Sequence, residues 1–225
     1  MYKKESVKKV VNRLKDLISH YMGKKTDTIK MCISTGNKKI GRVMNVSLAP
    51  ILTCANCNEC KYLCYDIKAC LQYKNVRDAR ARNTALLRKD RNLYFETIDK
   101  AISRRLKNKY FRWHVSGDIV DYDYFVRMVE IAKKHPDFVF WTYTKNYKVV
   151  NMFLDVDTLP DNLHVMFSEW RGLEMQNPHN MPEFRIVFKD DAVKPTGFYC
   201  LGNCDLCKAL KRGCIVGEIT YCNEH

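Results

Sequence analysis

The sequence predicts an α/β protein built on a partial or complete (β/α) barrel, preceded by an amphipathic helix and followed by a cysteine-rich tail. Three observations predict it. Beyond Tyr110, apolar runs of strand length alternate with segments of helical period, the arrangement that favours parallel pairing through right-handed crossovers. Residues Ser6 to Met22 repeat Val7, Val10, Val11, Leu14, Leu17, Ile18 and Tyr21 at helical spacing, with Lys8, Lys9, Arg13 and Lys15 opposite. The apolar runs also end in polar residues, as they do at the C-terminal face of barrels, where sites are built. For 225 residues one domain is the simplest division, with the helix in 1–25, the barrel-like core in 26–190, its cysteine loop at 54–64, and the tail in 191–225.

The elements follow in order. Gly23 ends the first helix, Ile29 to Ser34 reads as a short strand, and a turn at Thr35–Lys39 leads to a second strand near Arg42 to Leu48, stopped by Pro50. Ile67 to Leu106 is helical, in two helices, on the spacing of Val76, Ala79, Ala85, Leu86, Leu93, Phe95, Ile98 and Ile102. Phe111 to Ser116 is a strand and Tyr122 to Lys134 a helix, for which Asp121 is the natural N-cap. Strand Phe138–Thr144, helix Tyr147–Leu154, strand Leu163–Ser168 and a last strand Arg185–Phe188 complete the core.

Composition narrows the function classes. With 46% apolar and 28% charged residues the chain has the balance of a soluble globular protein. No run approaches the roughly 18 apolar residues of a membrane span, and the N-terminus lacks the apolar core of a secretory signal, so a cytoplasmic protein is expected. In that compartment the 11 cysteines are expected as thiols, and clustered thiols point to metal. Cys32 stands alone and reads as a small buried hydrophobe. Residues 1–110 hold 26 Lys and Arg against 9 Asp and Glu, while the remainder is slightly acidic, an asymmetry that favours a polyanionic partner such as DNA or RNA. Arg77, Arg80, Arg82, Arg88 and Arg91 could present a stripe to phosphates, although Asp78 and Asp90 interrupt it and pairing along the helix is the plainer account.

Two cysteine groups carry the chemistry. Cys54, Cys57, Cys60 and Cys64 follow a strand with the spacing C-x2-C-x2-C-x3-C, which bacterial ferredoxins use for a [4Fe–4S] cluster, with Tyr65 where proline usually follows. Structural zinc sites more often come as separated C-x2-C knuckles, so iron–sulfur ligation is the first reading and zinc the second. Cys200, Cys204 and Cys207 have the C-x3-C-x2-C spacing of radical S-adenosylmethionine enzymes but lie far from the loop those enzymes use. With Cys214 as a fourth ligand they would form a closed second centre, a cluster or zinc. Cys70 and Cys222 are further candidates. The strand ends supply Ser116-Gly117-Asp118, Tyr143-Thr144-Lys145 and Ser168-Glu169. Asp118, Lys145 and Glu169 would line the barrel mouth as acid, base or phosphate-binding groups, while His114 is either a further catalytic group or a hydrogen-bonded structural residue.

At Cys60-Lys-Tyr-Leu-Cys64-Tyr65, Arg112-Trp-His-Val-Ser-Gly-Asp118, Phe140-Trp-Thr-Tyr-Thr-Lys145 and the cysteine-rich tail, residues of about 45–214, the chain resembles the gene product 88 family of phages and mobile elements. The resemblance implies a layout similar to radical S-adenosylmethionine barrels and places Cys60, Cys64, His114, Ser116, Gly117, Asp118, Tyr143 and Lys145 on the family pattern, with Ser116, Gly117 and Tyr143 as candidate cofactor-binding positions. It carries no settled activity. The expectation is therefore an iron–sulfur protein that binds nucleic acid through its basic half. The alternatives are a zinc-stapled binding protein without catalysis and an enzyme of radical S-adenosylmethionine or metal-dependent nuclease type.

Overall fold

The computed structural model describes residues 3–37, 40–202, 204 and 218–224. Helix α1, Lys4–Met22, forms because Val7, Val10, Leu14 and Ile18 fall on one buried face, and it ends at Gly23. The region expected to hold two helices holds three: α2 Tyr65–Gln72, α3 Lys74–Lys89 and α4 Arg91–Ser103. Single extended residues, Tyr73 and Asp90, make the joints, and Asp90 caps α4 by accepting the Leu93 N–H at 2.9 Å. Helix α5, Tyr122–Lys134, is capped by Asp121, as the sequence indicates, through the Tyr124 N–H at 2.9 Å. Helix α6 is Tyr147–Leu154. Among the described residues no helix is long and apolar enough to cross a membrane.

Among the described residues seven strands form one parallel sheet: β1 Met44–Val46, β2 Tyr110–Trp113, β3 Val139–Thr144, β4 Leu163–Ser168, β5 Glu183–Val187, β6 Phe198–Tyr199 and β7 Ile219–Asn223. Their order is β1-β2-β3-β4-β5-β7-β6, so the sheet is open, and the closed form of the expected barrel is corrected. A barrel needs its terminal strands to pair. Here β1 is three residues long, and opposite β2 its Asn45 makes an antiparallel bridge to Ser34. The strand expected at Ile29–Ser34 is reduced to that bridge because Asn83 of α3 takes its backbone groups: the Cys32 N–H donates to Asn83 Oδ1 at 2.8 Å and Asn83 Nδ2 donates to the Cys32 carbonyl at 2.9 Å. Nor is the strand at 185–188 the last, since β6 and β7 draw part of the tail into the sheet.

Because β1 to β5 are adjacent in chain order, right-handed crossovers put α4, α5 and α6 on one face. There Phe95, Ile98, Phe125, Met128, Val150 and Phe153 pack on Phe111, Trp113, Phe140, Val165 and Phe167. Each such burial contributes roughly 1.5–3 kcal/mol. Helices α1, α2 and α3 share a second core built on Val10, Leu14, Ile67, Cys70 and Ala85, against which Tyr62 and Cys64 of the cysteine loop pack. Ile40 and Val43 meet Trp141 and Met166 on the other face of the sheet.

Candidate functional site

The C-terminal ends of β2 and β3 are drawn together by hydrogen bonds to a single side chain, and the chain leaving β1 for the cysteine loop is tied to the same turn through the Leu48 N–H on the Ser116 carbonyl at 2.9 Å. Asp118 is 5% exposed and its carboxylate accepts three bonds: Oδ1 from the Ile119 N–H at 2.7 Å and the Thr144 hydroxyl at 2.6 Å, Oδ2 from the Lys145 N–H at 2.9 Å. Gly117 makes this turn with φ +86, and its bare Cα faces Leu48 and Thr53, the residues leading into the cysteine loop. The loop is fastened to β3 by Asn56, whose Nδ2 donates to the Lys145 carbonyl at 2.6 Å, and to β2 by the Tyr65 hydroxyl on the Val115 carbonyl. Ile51, a β-branched residue three positions before Cys54, is held at φ +68, strain of the kind that gathers at functional sites.

Within the loop, Cys54 Sγ accepts the Ile51 N–H at 3.3 Å, and Cys57 and Cys60 Sγ lie 3.7 Å apart. Cys57 is wedged between Cys54 and Cys60; hydrogen bonding to both, followed by burial, pushes its thiol far up. Cys60 is shifted the other way. Its pKa falls to about 7 because Cys57 donates to it and Lys145 lies nearby, against burial and Asp118. Burial raises Cys64 to about 12. Among the described residues no group of three or more His, Cys, Asp or Glu side chains is set to hold a single metal ion, so the thiols are gathered but not closed around one point.

The same mouth holds Lys145, whose ammonium lies 5.5 Å from the Trp170 ring centre, and Glu169, paired with Arg185 at 3.2 Å. Tyr147, the first residue of α6, was readable in the sequence only as a helix residue. It is buried and donates to the Ser168 carbonyl; burial, helped by the nearby charges of Asp118, Glu169, Glu183 and Cys60, raises its pKa. Ser116 Oγ is buried at the end of β2 with no hydrogen-bond partner among the described residues. A cleft of about 350 Å³ opens beside the loop between Cys54, Thr53, Arg88, Arg91 and Asp121.

Two expected site residues point elsewhere. His114, at φ +55, turns toward the helices, with Nε2 2.9 Å from the Tyr124 hydroxyl and Nδ1 3.4 Å from Thr142 Oγ1; Tyr124 in turn meets the Tyr94 hydroxyl at 3.0 Å. Tyr143 alternates with Thr142 and Thr144, so it faces the opposite side of the sheet, where Arg112 lies 5.0 Å over its ring. Burial, with Arg112 adding to it, lowers the His114 pKa to about 3. The unfolded chain takes up that proton near 6.5, so the stability His114 confers is complete above about pH 6.5 and is lost as pH falls toward 3. Asp118 acts in the opposite sense. Burial raises it to about 6 against its three hydrogen bonds, so the folded state keeps a proton the unfolded chain has released, and stability declines as pH rises from about 4 to 6. Urea unfolding across pH 3–7 is expected to show His114→Phe with a flatter acid limb than the wild type, by on the order of 4 kcal/mol at the acid end. An unchanged limb would assign the loss to other groups.

The arginine stripe is largely spoken for. Arg80 pairs with buried Asp66 at 3.2 Å, Arg82 with Asp78 at 3.2 Å, and Arg91 with Asp121 at 2.6 Å and Asp123 at 2.8 Å, while Arg77 donates to the Cys70 carbonyl. Arg88 has no ion pair among the described residues and donates to the Leu52 carbonyl at 3.4 Å. Of the five arginines three are thus held by carboxylates, Asp66 on α2, Asp78 on α3 itself and Asp121 with Asp123 at α5, while Arg77 and Arg88 meet only backbone carbonyls in the bonds described. Of the second cysteine group, Cys200 is exposed after β6 and Cys204 packs beside Trp141 and Met166, whereas Cys207 and Cys214 lie outside the described residues. Cys222 is on β7, and the Cys200 N–H donates to the Tyr221 carbonyl beside it at 2.7 Å. Cys70 is buried in the helical core, its Sγ 3.7 Å from Asp66. Cys32 is only partly buried.

No curated protein and no solved structure matches the chain. The family model described as gene product 88 matches residues 19–208, which begins earlier than the motifs alone indicate and ends before Cys214. That span takes in the end of α1, the cysteine loop, the Asp118 turn and the strands through β6, most of the chain, and the protein therefore belongs to the gene product 88 family.

Proposed function

We propose that this protein carries a thiol-ligated iron–sulfur centre at the mouth of its parallel sheet and binds nucleic acid, with the centre placed to act on what is bound. The observation that carries the reading is the convergence of Cys54, Cys57 and Cys60 with Asp118 and Lys145, residues from three loops, at the C-terminal ends of parallel strands. The donor chemistry fits such a group: the loop offers four sulfurs, and a thiol wedged between two others, as Cys57 is, ionises more readily when a cation compensates its neighbours. Cys54, Cys57, Cys60 and Cys64 would hold the cluster, which supplies electron transfer; were only three of them to ligate it, the fourth iron would supply a binding position for a co-substrate such as S-adenosylmethionine. The chain's own residues do the rest. Asp118 can hold or release a proton near neutral pH, Lys145 presents a cation toward a phosphate, and Trp170 and Tyr147 wall the mouth.

A zinc centre is the second reading, and one distance favours it. Tetrahedral zinc with sulfur bonds of ~2.3 Å has sulfur pairs about 3.8 Å apart; Cys57 and Cys60 lie at 3.7 Å. Cluster ligands stand farther apart because each caps a different iron. Anaerobic purification followed by iron, sulfide and zinc analysis separates the two. Iron and acid-labile sulfide that disappear in Cys57→Ala support the cluster, while a colourless protein with stoichiometric zinc replaces it by the staple. Electron paramagnetic spectra recorded with and without S-adenosylmethionine test the open iron, and an unaltered spectrum removes that co-substrate.

A further inference from the structure

We infer that the outward face of α1 is the surface that grips the phosphodiester backbone of the nucleic acid; this rests on the nucleic-acid reading above and names the site of contact. The excess positive charge of the chain has to lie somewhere unneutralised to attract a polyanion, and the arginines from Arg77 on α3 to Arg91 on α4 supply little of it, because three of the five are held by carboxylates. Helix α1 does. Lys4, Lys8 and Lys15 form one exposed row, and Lys9 and Arg13 a second, at spacings that put each row on one side of the helix. Among the described residues none of these five cations takes part in an ion pair. Glu5 and Asp16, the carboxylates of the helix, are exposed and pair with none of them. From Lys4 to Lys15 the row runs ~17 Å along the axis, and Lys24 and Lys25 continue the charge past its end, both exposed.

A basic amphipathic helix is also the form of a membrane-surface anchor, which lays its apolar face into the lipid. That face is occupied here: Val7, Val10, Leu14 and Ile18 are buried with Ala81 and Ala85 of α3. What remains exposed is polar, with five cations against two carboxylates, which suits a backbone of phosphates and gives a bilayer nothing to insert. The buried face of α1 shares its core with Tyr62 and Cys64, so the helix that carries the cationic rows is packed against the cysteine loop.

The test compares two full-length variants that each remove four positive charges from exposed positions. One is Lys8→Gln/Lys9→Gln/Arg13→Gln/Lys15→Gln on α1; the control is Arg104→Gln/Lys107→Gln/Lys148→Gln/Lys194→Gln elsewhere. Fluorescence anisotropy with labelled single-stranded DNA, single-stranded RNA and duplex DNA of one sequence is read across 50–300 mM salt. The α1 variant is expected to lose at least ~30-fold in affinity at 0.1 M salt, and its log K against log salt slope is expected to flatten by up to about 3 units, near 0.7 for each single-strand phosphate contact. The control should retain most of both. Equal losses in the two variants overturn the inference in favour of diffuse charge, and an unaffected α1 variant with a binding wild type overturns it outright. If the wild type binds none of the three probes, the nucleic-acid reading itself fails. Unfolding midpoints of all three proteins, and an α1 variant with Lys8, Lys9 and Lys15 replaced by Arg that keeps binding, separate contact from folding.

Discussion

Gly117→Ala is expected to lower the free energy of unfolding by about 2–5 kcal/mol, combining the strain of a left-handed alanine with overpacking. The added methyl would stand 2.7 Å from Leu48 Cβ and 2.8 Å from Thr53 Oγ1, at φ +86. Neither neighbour can retreat cheaply. Leu48 is fully buried, and the Thr53 hydroxyl is tied to the Ala49 carbonyl at 2.8 Å. The strain therefore passes into the segment that delivers Cys54 and into the turn that holds Asp118. Urea unfolding measures the first effect; metal content per chain measures the second and should fall in the same variant. A loss below ~0.5 kcal/mol would mean that the turn and the loop are not packed as described.

The second large effect is expected at Asp66. Asp66→Ala should cost about 3–5 kcal/mol, because it leaves the Arg80 guanidinium, only 15% exposed, without its anion in the core shared by α1, α2 and α3. Arg80 reaches Asp66 through two nitrogens at 3.2 Å, and the pairing outweighs burial in raising the arginine's pKa. Asp66→Leu/Arg80→Met, which removes both charges and keeps the volume, is expected to recover most of the loss. If the double variant were as unstable as Asp66→Ala, the cost would lie in packing and not in an orphaned charge.

Much of this fold was legible because the relevant signals are local. Helices α5 and α6 and strand β4 fall where period and capping put them, down to Asp121 as N-cap. What could not be read depends on contacts across the chain. The Asn83 amide, 51 positions away, removes Cys32 from strand pairing. Asp66 lies 14 positions from Arg80 and Asp121 lies 30 from Arg91, so only Asp78 with Arg82 was visible as a pairing along one helix. Strand β7 carries an alternating Ile219-Thr-Tyr-Cys-Asn223 pattern, but in a segment dense in cysteines the thiols drew the reading toward ligation. Its place between β5 and β6 is a matter of register that no local pattern encodes.

The same holds at the mouth. Gly117-Asp118 was visible as a polar strand end, whereas the inward turn of His114 required knowing its φ, and Tyr147 required knowing which loops its helix would meet.

The grip of Asp118 on β3 has a consequence for how residue 145 can vary. Its second carboxylate oxygen holds the backbone N–H of Lys145 and not the ammonium, and Asn56 holds the carbonyl of the same residue. Architecture at this position is thus blind to the side chain: every residue except proline could stand there and leave both anchors intact. Any selection that keeps a lysine at 145 acts through its Nζ alone, so substitutions there report on chemistry without confounding it with assembly of the loop.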